Sequence, residues 1–367
     1  MGVSIVPGRS MRMYFFFPLA LFFAAFLLDK QLYIGGFEDY FLRTASFLNY
    51  DHKEELLDEV KAQAALPDRK KIMIMFGNSR TMTFDNAYIQ SKYPDWILYN
   101  FSVPGGTSDY YYYFMTQFRK RGIHPDYIFF AVSPQGFNAT PAIAMDEVML
   151  NGLPVSFIGA NFTHYSADDL SNYAAKKLFW NYQFRPKLST ILERYENHGA
   201  GVHAFRRFIS ATHVLLIDHR GSVPPAERRA VQNDDFLTLS AKGTWKDFLS
   251  PFSVSPHQMY FTDQMLRICE EMKIPAFLVW AKVGGQLREM KNHEVIGQDA
   301  AGKPMTIRSV WEPAVETLAR NRSSDLLDMN YGPSIKCDLF YDASHMAAEC
   351  FQEFTDYLFA SMKRPRP

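Results

Sequence analysis

The sequence predicts an α/β protein with a three-layer, doubly wound fold of the flavodoxin-like type, built on a parallel sheet of about five strands. Short apolar runs of strand length alternate with amphipathic helical segments, and this order is typical of βαβ units. The runs are apolar throughout, as in strands that helices cover on both faces. The chain has 367 residues, which is enough to bury a core of this size.

The first βαβ unit has clear boundaries in the sequence. An amphipathic helix is predicted over 51–65, because charged residues are interspersed with spaced leucines and Pro67 follows. The apolar run at 72–76 is the first strand, and it ends at a glycine. The next helix is expected to begin after Asp85, a favoured N-cap residue, and to stop before a proline; 96–101 is then the second strand.

The following segments repeat this pattern. A helix over 108–121 has Ser108 as its expected N-cap, ends in basic residues that suit the helix dipole, and closes at Gly122. The all-apolar run at 127–132 is the third strand. The sheet resumes later in the chain, with elements predicted as helix 257–272, strand 276–283, helix 313–320, strand 325–329 and a final helix 346–362.

The domain organisation follows from changes in this pattern. Between the third and fourth strands the chain turns to helices and polar loops, so we interpret about 139–256 as a mainly helical insertion in a domain that spans 71–367. Residues 35–70 form a linker and an amphipathic helix. Residues 1–34 form a membrane anchor or a signal sequence.

The N-terminal segment at 13–28 contains no charged residue. At ~1.5 Å per residue it covers about 24 Å, somewhat less than the ~30 Å of a hydrocarbon core. No small-residue cleavage site follows it, which favours an uncleaved signal-anchor over a cleaved signal peptide. Because Arg9 and Arg12 precede it, we expect a cytoplasmic N-terminus and an extracytoplasmic or periplasmic main domain.

The charge balance and the cysteine content argue against nucleic-acid binding and against a metal site. Lysine plus arginine equals aspartate plus glutamate at 39 each, so no global field favours nucleic acid. The three cysteines lack metal-ligand spacing, and we expect no metal, no cofactor and no disulfide framework. Cys269 and Cys350 lie in apolar helical patterns and are expected to fill the core, while a pairing of Cys337 with either of them stays open.

The strongest chemical signal is Ser79, which follows the first strand and Gly77. In a parallel sheet this is the edge at which reactive groups are presented. A serine hydroxyl needs an imidazole to take its proton and a carboxylate to orient that imidazole. Asp342 and His345, three residues apart on a predicted loop, would supply both. The predicted catalytic residues are therefore Ser79, His345 and Asp342.

Acyl-transfer chemistry also needs donors that stabilise a developing oxyanion. The loops after the first three strands converge near Ser79 and offer the backbone amides of Ser79 and Gly105 and the side-chain amide of Gln135. Arg80 and Asn138 are candidate substrate-binding residues in the same loops.

These segments resemble the sequence blocks of the SGNH hydrolase superfamily, also called the GDSL esterases. Gly77-Asn78-Ser79 is similar to a first block that carries the nucleophilic serine in a G-[DNT]-S context. Asn100 and the Gly-Gly-Thr-Ser of 105–108 are similar to a second block, whose glycine amide belongs to the oxyanion hole. The Asp-Ala-Ser-His of 342–345 matches the D-x-x-H block.

The third block departs from the superfamily pattern. It usually ends its strand with G-x-N-D, whose asparagine donates to the oxyanion, whereas this chain has Gln135 at that place. The resemblance covers 72–138 and about 276–362 and leaves the middle insertion outside. This departure puts the oxyanion geometry in question.

An N-terminal anchor before an SGNH-like domain with a divergent third block resembles acyl-transfer proteins of bacterial envelopes. Examples act in alginate O-acetylation and in D-alanylation of teichoic acid, and uncharacterised spirochaetal membrane proteins share the pattern. The resemblance implies a serine esterase or O-acyltransferase acting on an acylated polysaccharide or a lipid-linked substrate, with a membrane-bound acyltransferase as partner. The alternative is a catalytically inactive SGNH-fold scaffold or polymer-binding protein. Hydrolysis and transfer both stay open.

Overall fold

The computed structural model describes residues 10–34, 38–42, 47–139, 145–196, 200–223, 228–231, 233–332 and 334–363. The strands are β1 (Lys71–Phe76), β2 (Trp96–Asn100), β3 (Tyr127–Ala131), β4 (Ala276–Trp280), β5 (Val295–Gln298), β6 (Pro304–Thr306), β7 (Asp325–Asp328), β8 (Phe340–Asp342) and β9 (His345–Met346). The α-helices are α1 (Ser10–Ile34), α2 (Glu38–Phe41), α3 (Leu48–Ala64), α4 (Asn86–Lys92), α5 (Ser108–Arg121), α6 (Met145–Gly152), α7 (Val155–Ala160), α8 (Ala167–Leu178), α9 (Trp180–Phe184), α10 (Leu188–Glu196), α11 (Ala200–Asp218), α12 (Asp234–Phe248), α13 (Pro256–Glu271), α14 (Gly285–His293), α15 (Ile307–Asn321) and α16 (Phe351–Ser361).

Five strands form one parallel sheet in the order β2-β1-β3-β4-β7. The predicted α/β fold is therefore confirmed, and all five predicted strands are present. The strand order reverses between β1 and β3, and ligands of open α/β sheets bind beyond the carboxyl ends of the strands at such a switch point. Phe76 at the end of β1 pairs in register with Phe130 of β3, so the loops after these two strands leave the sheet at one level.

The sheet is buried on both faces, as its apolar strands predict. Every residue from Ile72 to Phe76 has no exposed surface. The Phe76 ring stacks on that of Phe130, with 5.3 Å between the ring centroids, and also contacts Phe118 of α5. This packing makes the sheet a rigid base for the loops at its edge.

Some predicted boundaries were wrong for local reasons. Thr107, not Ser108, is the N-cap of α5, because Thr107 has extended backbone while Ser108 is already helical and donates its N–H to Gln258. The last helix begins at Phe351, since His345–Met346 pairs with β8. The sequence also gave no signal for α14 or for the β5–β6 hairpin. Asp85 caps α4 as predicted, by accepting the N–H of Tyr88.

The chain divides into two compact units. Unit 1 comprises the described parts of 1–45 and 166–211, and unit 2 comprises the described parts of 46–165 and 212–367, including the whole sheet. The domain boundaries predicted from the sequence stay predictions.

Unit 1 contains the apolar N-terminal helix. Its segment Phe16–Ile34 has 19 residues and a mean hydropathy of 1.5, so it is long and apolar enough to cross a membrane, as a signal sequence also is. Arg9 lies outside the described residues, and the predicted orientation and lack of cleavage stay predictions.

Candidate active site

The turn after β1 presents Ser79. At Gly77 a Cβ atom would lie 1.9 Å from the Thr81 hydroxyl and 2.7 Å from the Ser102 hydroxyl, so the turn requires glycine. A short 3-10 turn then begins at Ser79, and the Asn78 side chain accepts the backbone N–H of Arg80 at 3.1 Å. These contacts fix the backbone on both sides of the serine.

The β8–β9 hairpin carries Asp342 and His345. The Asp342 carboxylate accepts the backbone N–H groups of Ser344 and His345, at 2.7 and 3.0 Å. The same carboxylate lies 2.8 and 2.9 Å from Nδ1 of His345, while Nε2 lies 2.7 Å from the Ser79 hydroxyl. Because a carboxylate only accepts, Nδ1 carries the proton and Nε2 accepts from Ser79. The structure thus brings the three predicted residues into one hydrogen-bonded chain.

Local electrostatics set the protonation states of His345 and Asp342. Burial lowers the pKa of His345, Asp342 opposes this effect, and the positive charges of Arg80 and Arg228 lower it further. Burial raises the pKa of Asp342, but its hydrogen bond to His345 and the neighbouring charges hold it below the usual value. At neutral pH the imidazole is therefore neutral and able to accept a proton, and Asp342 is ionised.

Arg80 connects three loops around the serine. It is buried, its Nε donates to the Ser344 carbonyl at 3.0 Å, and its Nη1 donates to the Ser133 hydroxyl at 2.9 Å. Burial lowers its pKa to about 10, so it stays charged at neutral pH. These bonds give Arg80 a positioning role, and its predicted role in substrate binding stays a prediction.

The loop after β2 packs against the serine turn. Val103 donates its N–H to the Gly77 carbonyl at 3.0 Å, and a Cβ atom at Gly106 would lie 2.3 Å from that carbonyl oxygen. Gly105 has a φ of 66°, in the left-handed region that favours glycine. Within the described part of the chain, the backbone amides of Ser79 and Gly105 have no hydrogen-bond acceptor.

Gln135 lies in the 3-10 turn Pro134–Phe137, directly after β3. Its side chain is 2% exposed, and neither its nitrogen nor its oxygen has a hydrogen-bond partner among the residues that the structure describes. A buried amide with nothing to bond is costly and is typically found where function requires it. Gln135 and the two free amides are the groups predicted as oxyanion donors, and that role stays a prediction.

Asn138 is engaged elsewhere. Its side-chain nitrogen donates to the carbonyls of Phe248 and Pro251, at 3.0 and 2.9 Å, and its oxygen accepts the N–H of Ser253 at 3.0 Å. Asn138 therefore holds the turn after α12, and these bonds give its side chain a structural role. Its predicted role in substrate binding stays a prediction.

Arg228 is a site residue that the sequence did not reveal. Its guanidinium donates to the carbonyl oxygen of Ser79, and its own carbonyl accepts the N–H of Ala348 at 2.7 Å. In the sequence it belongs to the charged run 227–229, which follows two prolines shortly before. Its positive charge was the one feature that could have suggested a site residue. No pattern in the neighbouring sequence connected Arg228 with Ser79.

A disulfide bond encloses the hairpin. Cys337 and Cys350 are joined, with 5.4 Å between their Cα atoms, and the segment between them contains Asp342 and His345. The pairing of Cys337 that the sequence left open is therefore with Cys350, although no disulfide framework was expected, because the β8–β9 hairpin brings the two cysteines together. Cys350 and the free Cys269 are both buried in the protein interior, as predicted.

Comparison with known families gives a match along nearly the whole chain. A family model described as "Protein of unknown function (DUF1574)" matches residues 11–362. The chain belongs to this family. No curated protein matches the chain. The family assignment carries no activity, so the chemistry has to be argued from the site of this DUF1574 member itself.

A second cluster of polar groups lies apart from the serine. His52, Glu55 and His213, on α3 and α11, bring their ligand atoms within 4.8 Å of one another and form a group that could hold a metal ion. Nε2 of His213 lies 2.9 Å from Glu55, and Nδ1 of His52 lies 3.5 Å from it. Burial lowers the pKa of His52 to about 4. A hydrogen-bonded chain explains these contacts without an ion, and the expected lack of a metal stays a prediction.

The charge of Arg228 sets a testable pH dependence. In its predicted role as a base His345 must be neutral, and the charge of Arg228 helps to lower the pKa of His345. In Arg228→Gln that pKa rises, so the acid limb of kcat/KM moves to higher pH. The measurement is the pH profile of p-nitrophenyl acetate hydrolysis. The matched control is Arg229→Gln, an exposed neighbour expected to keep the wild-type profile; an equal shift in both variants would contradict a local effect.

Proposed function

We propose that this protein is a membrane-anchored, extracytoplasmic SGNH-like serine esterase or O-acyltransferase that acts on an acylated envelope polymer or glycan. The observation that carries the proposal is the hydrogen-bonded chain from the Ser79 hydroxyl through His345 to Asp342, with 2.7 Å between Ser79 Oγ and His345 Nε2. Such a chain supplies a nucleophile, a base and a group that orients the base.

The reaction would proceed in two steps. Ser79 attacks the acyl carbonyl carbon while its proton passes to His345, and the carbonyl oxygen becomes an oxyanion. The amides of Ser79 and Gly105 and the side chain of Gln135 are the donors for that oxyanion, since they lack other acceptors among the described residues. The tetrahedral intermediate expels the alcohol, which takes the proton from His345. Water or a polymer hydroxyl then attacks the acyl-serine in the same way, which regenerates Ser79.

Two features support an extracytoplasmic site. The Cys337–Cys350 disulfide belongs to the kind of bond that persists in oxidising compartments. The N-terminal helix is long and apolar enough to hold the protein at a membrane. A membrane-bound acyltransferase would be the donor partner, and an acylated polysaccharide or a lipid-linked substrate would be the substrate.

Covalent labelling with a fluorophosphonate probe tests the proposal. We expect the wild type to be labelled and to hydrolyse p-nitrophenyl acetate, and we expect Ser79→Ala to lose both properties because the nucleophile is absent. Ser91→Ala, at an exposed helical serine, is the matched control and should behave as the wild type. A folded wild type with neither labelling nor turnover would favour the alternative, an inactive scaffold or polymer-binding protein.

A further inference from the structure

Helix α10 presents an apolar face to its surroundings. Leu188, Leu192 and Tyr195 are 69%, 44% and 72% exposed, and their spacing places them on one side of the helix. We call these three side chains the α10 apolar face. An exposed cluster of large apolar side chains marks an interaction surface. The other contacts within unit 1 indicate which kind of partner covers the α10 apolar face.

The outer end of α1 is joined to α9. The carboxylate of Asp29 accepts the backbone N–H groups of Trp180 and Asn181, at 2.7 and 2.8 Å. The ammonium of Lys30 lies 3.8 Å from the centre of the Trp180 ring. Asp29 and Lys30 are the first charged residues after the apolar run, so they mark the level at which α1 would leave the hydrocarbon of a bilayer. Trp180 lies at the level where tryptophan is enriched in membrane proteins.

The side chain of Phe179 contacts α1 on the apolar side of Asp29 and Lys30. Its ring makes edge-to-face contacts with Phe22 and Phe26 of α1, with 5.6 and 6.3 Å between the centroids. At ~1.5 Å per residue, these two phenylalanines lie about 10 and 5 Å from Asp29 on the apolar side. Interfacial helices bury their apolar faces to a depth of about 5–10 Å. Phe179 therefore lies at interfacial depth if α1 spans the membrane.

Helix α10 is held close to the level of Asp29 and Lys30, where α1 would leave the hydrocarbon. It begins four residues after α9 ends, and that length of chain spans at most about 14 Å. The guanidinium of Arg194 donates to the carbonyls of Asp39 and Leu42, in the chain that follows α1. The exposed cations Arg185 and Lys187 precede the apolar face, where they are suited to the phosphates of lipid headgroups.

We propose that the α10 apolar face inserts into the headgroup region of the bilayer that α1 spans, so that phospholipid covers Leu188, Leu192 and Tyr195. This inference rests on the membrane anchoring included in the proposed function, but not on the catalytic chemistry. Unit 1 would then hold the membrane both through a spanning helix and through a helix lying in the interface.

Depth-dependent fluorescence quenching tests this arrangement in the full-length protein, reconstituted into phospholipid vesicles. Variants with one added cysteine, Leu192→Cys and Glu193→Cys, carry an environment-sensitive dye on the apolar face of α10 and at an exposed polar position about 100° further round the helix, respectively. Native cysteines do not compete for the dye, because Cys269 is buried and the other two form the disulfide. We expect lipid nitroxides near the headgroup to quench the dye at position 192 and to quench the dye at 193 far less.

A third variant separates this inference from the anchor itself. Leu21→Cys labels an exposed position within α1 and should be quenched by nitroxides deep in the acyl chains. Quenching at 21 without quenching at 192 would overturn the interfacial helix while leaving the anchor in place. Loss of quenching at both positions would overturn both. A dye at 192 that lipid does not quench, and whose emission changes on dilution of the protein, would show that a second copy covers the face instead.

Discussion

Replacing Asp342 with asparagine is expected to lower kcat for ester hydrolysis about 10⁴-fold, the size of the loss when the corresponding group of a serine triad is changed in this way. The asparagine oxygen can still accept the N–H groups of Ser344 and His345, which keep the hairpin in place. The ionised carboxylate that holds the proton on Nδ1 is lost, however, so Nε2 no longer reliably accepts from Ser79. The steady-state rate with p-nitrophenyl acetate measures the effect, and thermal unfolding checks the fold.

Asp338→Asn is the matched control for this variant. Asp338 lies between the same two disulfide-bonded cysteines, and its carboxylate, on a side chain that is 62% exposed, is 3.1 Å from the buried Lys282. Without that carboxylate the ammonium of Lys282 still donates to the carbonyls of Ile335 and Cys337, so we expect nearly wild-type stability and an unchanged kcat. If Asp342→Asn kept the wild-type kcat, Asp342 would have no part in orienting His345, and the proposed mechanism would be wrong.

Gln135→Ala is expected to lower kcat about 10²- to 10³-fold, equal to about 3–4 kcal/mol of lost oxyanion stabilisation. The melting temperature should not fall in parallel. In the described part of the structure the buried amide of Gln135 has no partner, so its removal breaks no hydrogen bond and relieves a desolvation cost. A large loss of rate in a protein that is no less stable would distinguish an oxyanion donor from a packing residue.

Gln258→Ala is the control variant for Gln135→Ala, and we expect it to lose stability. Gln258 is also buried, but its side-chain oxygen accepts the N–H of Ser108 at 2.8 Å. Its truncation leaves that amide unpaired, so we expect a loss of about 1–3 kcal/mol in the free energy of unfolding. Chemical denaturation and the hydrolysis rate should be measured on both variants. A Gln135→Ala protein with wild-type kcat would remove Gln135 from the proposed oxyanion site.

The sequence by itself determined the fold class and the local parts of the candidate site. Strands buried on both faces have to be apolar throughout, so 72–76, 127–132 and the other runs identified the five strands of the sheet. Gly77 marked the turn after β1 because a glycine interrupts the apolar run there. Asp342 and His345 are three residues apart, so their interaction is a property of one short hairpin and was visible in the chain.

Only the tertiary structure decided which distant groups meet. The hydroxyl of Ser79 and the ring of His345 are 266 residues apart, and the packing of the hairpin against the sheet edge brings them to 2.7 Å. Other contacts between separate segments bring Arg228 to the Ser79 carbonyl and engage Asn138 in a distant turn, and the β8–β9 hairpin pairs Cys337 with Cys350. Local patterns encode burial and backbone conformation, whereas such contacts depend on how separate elements fit together, and no single segment carries that information.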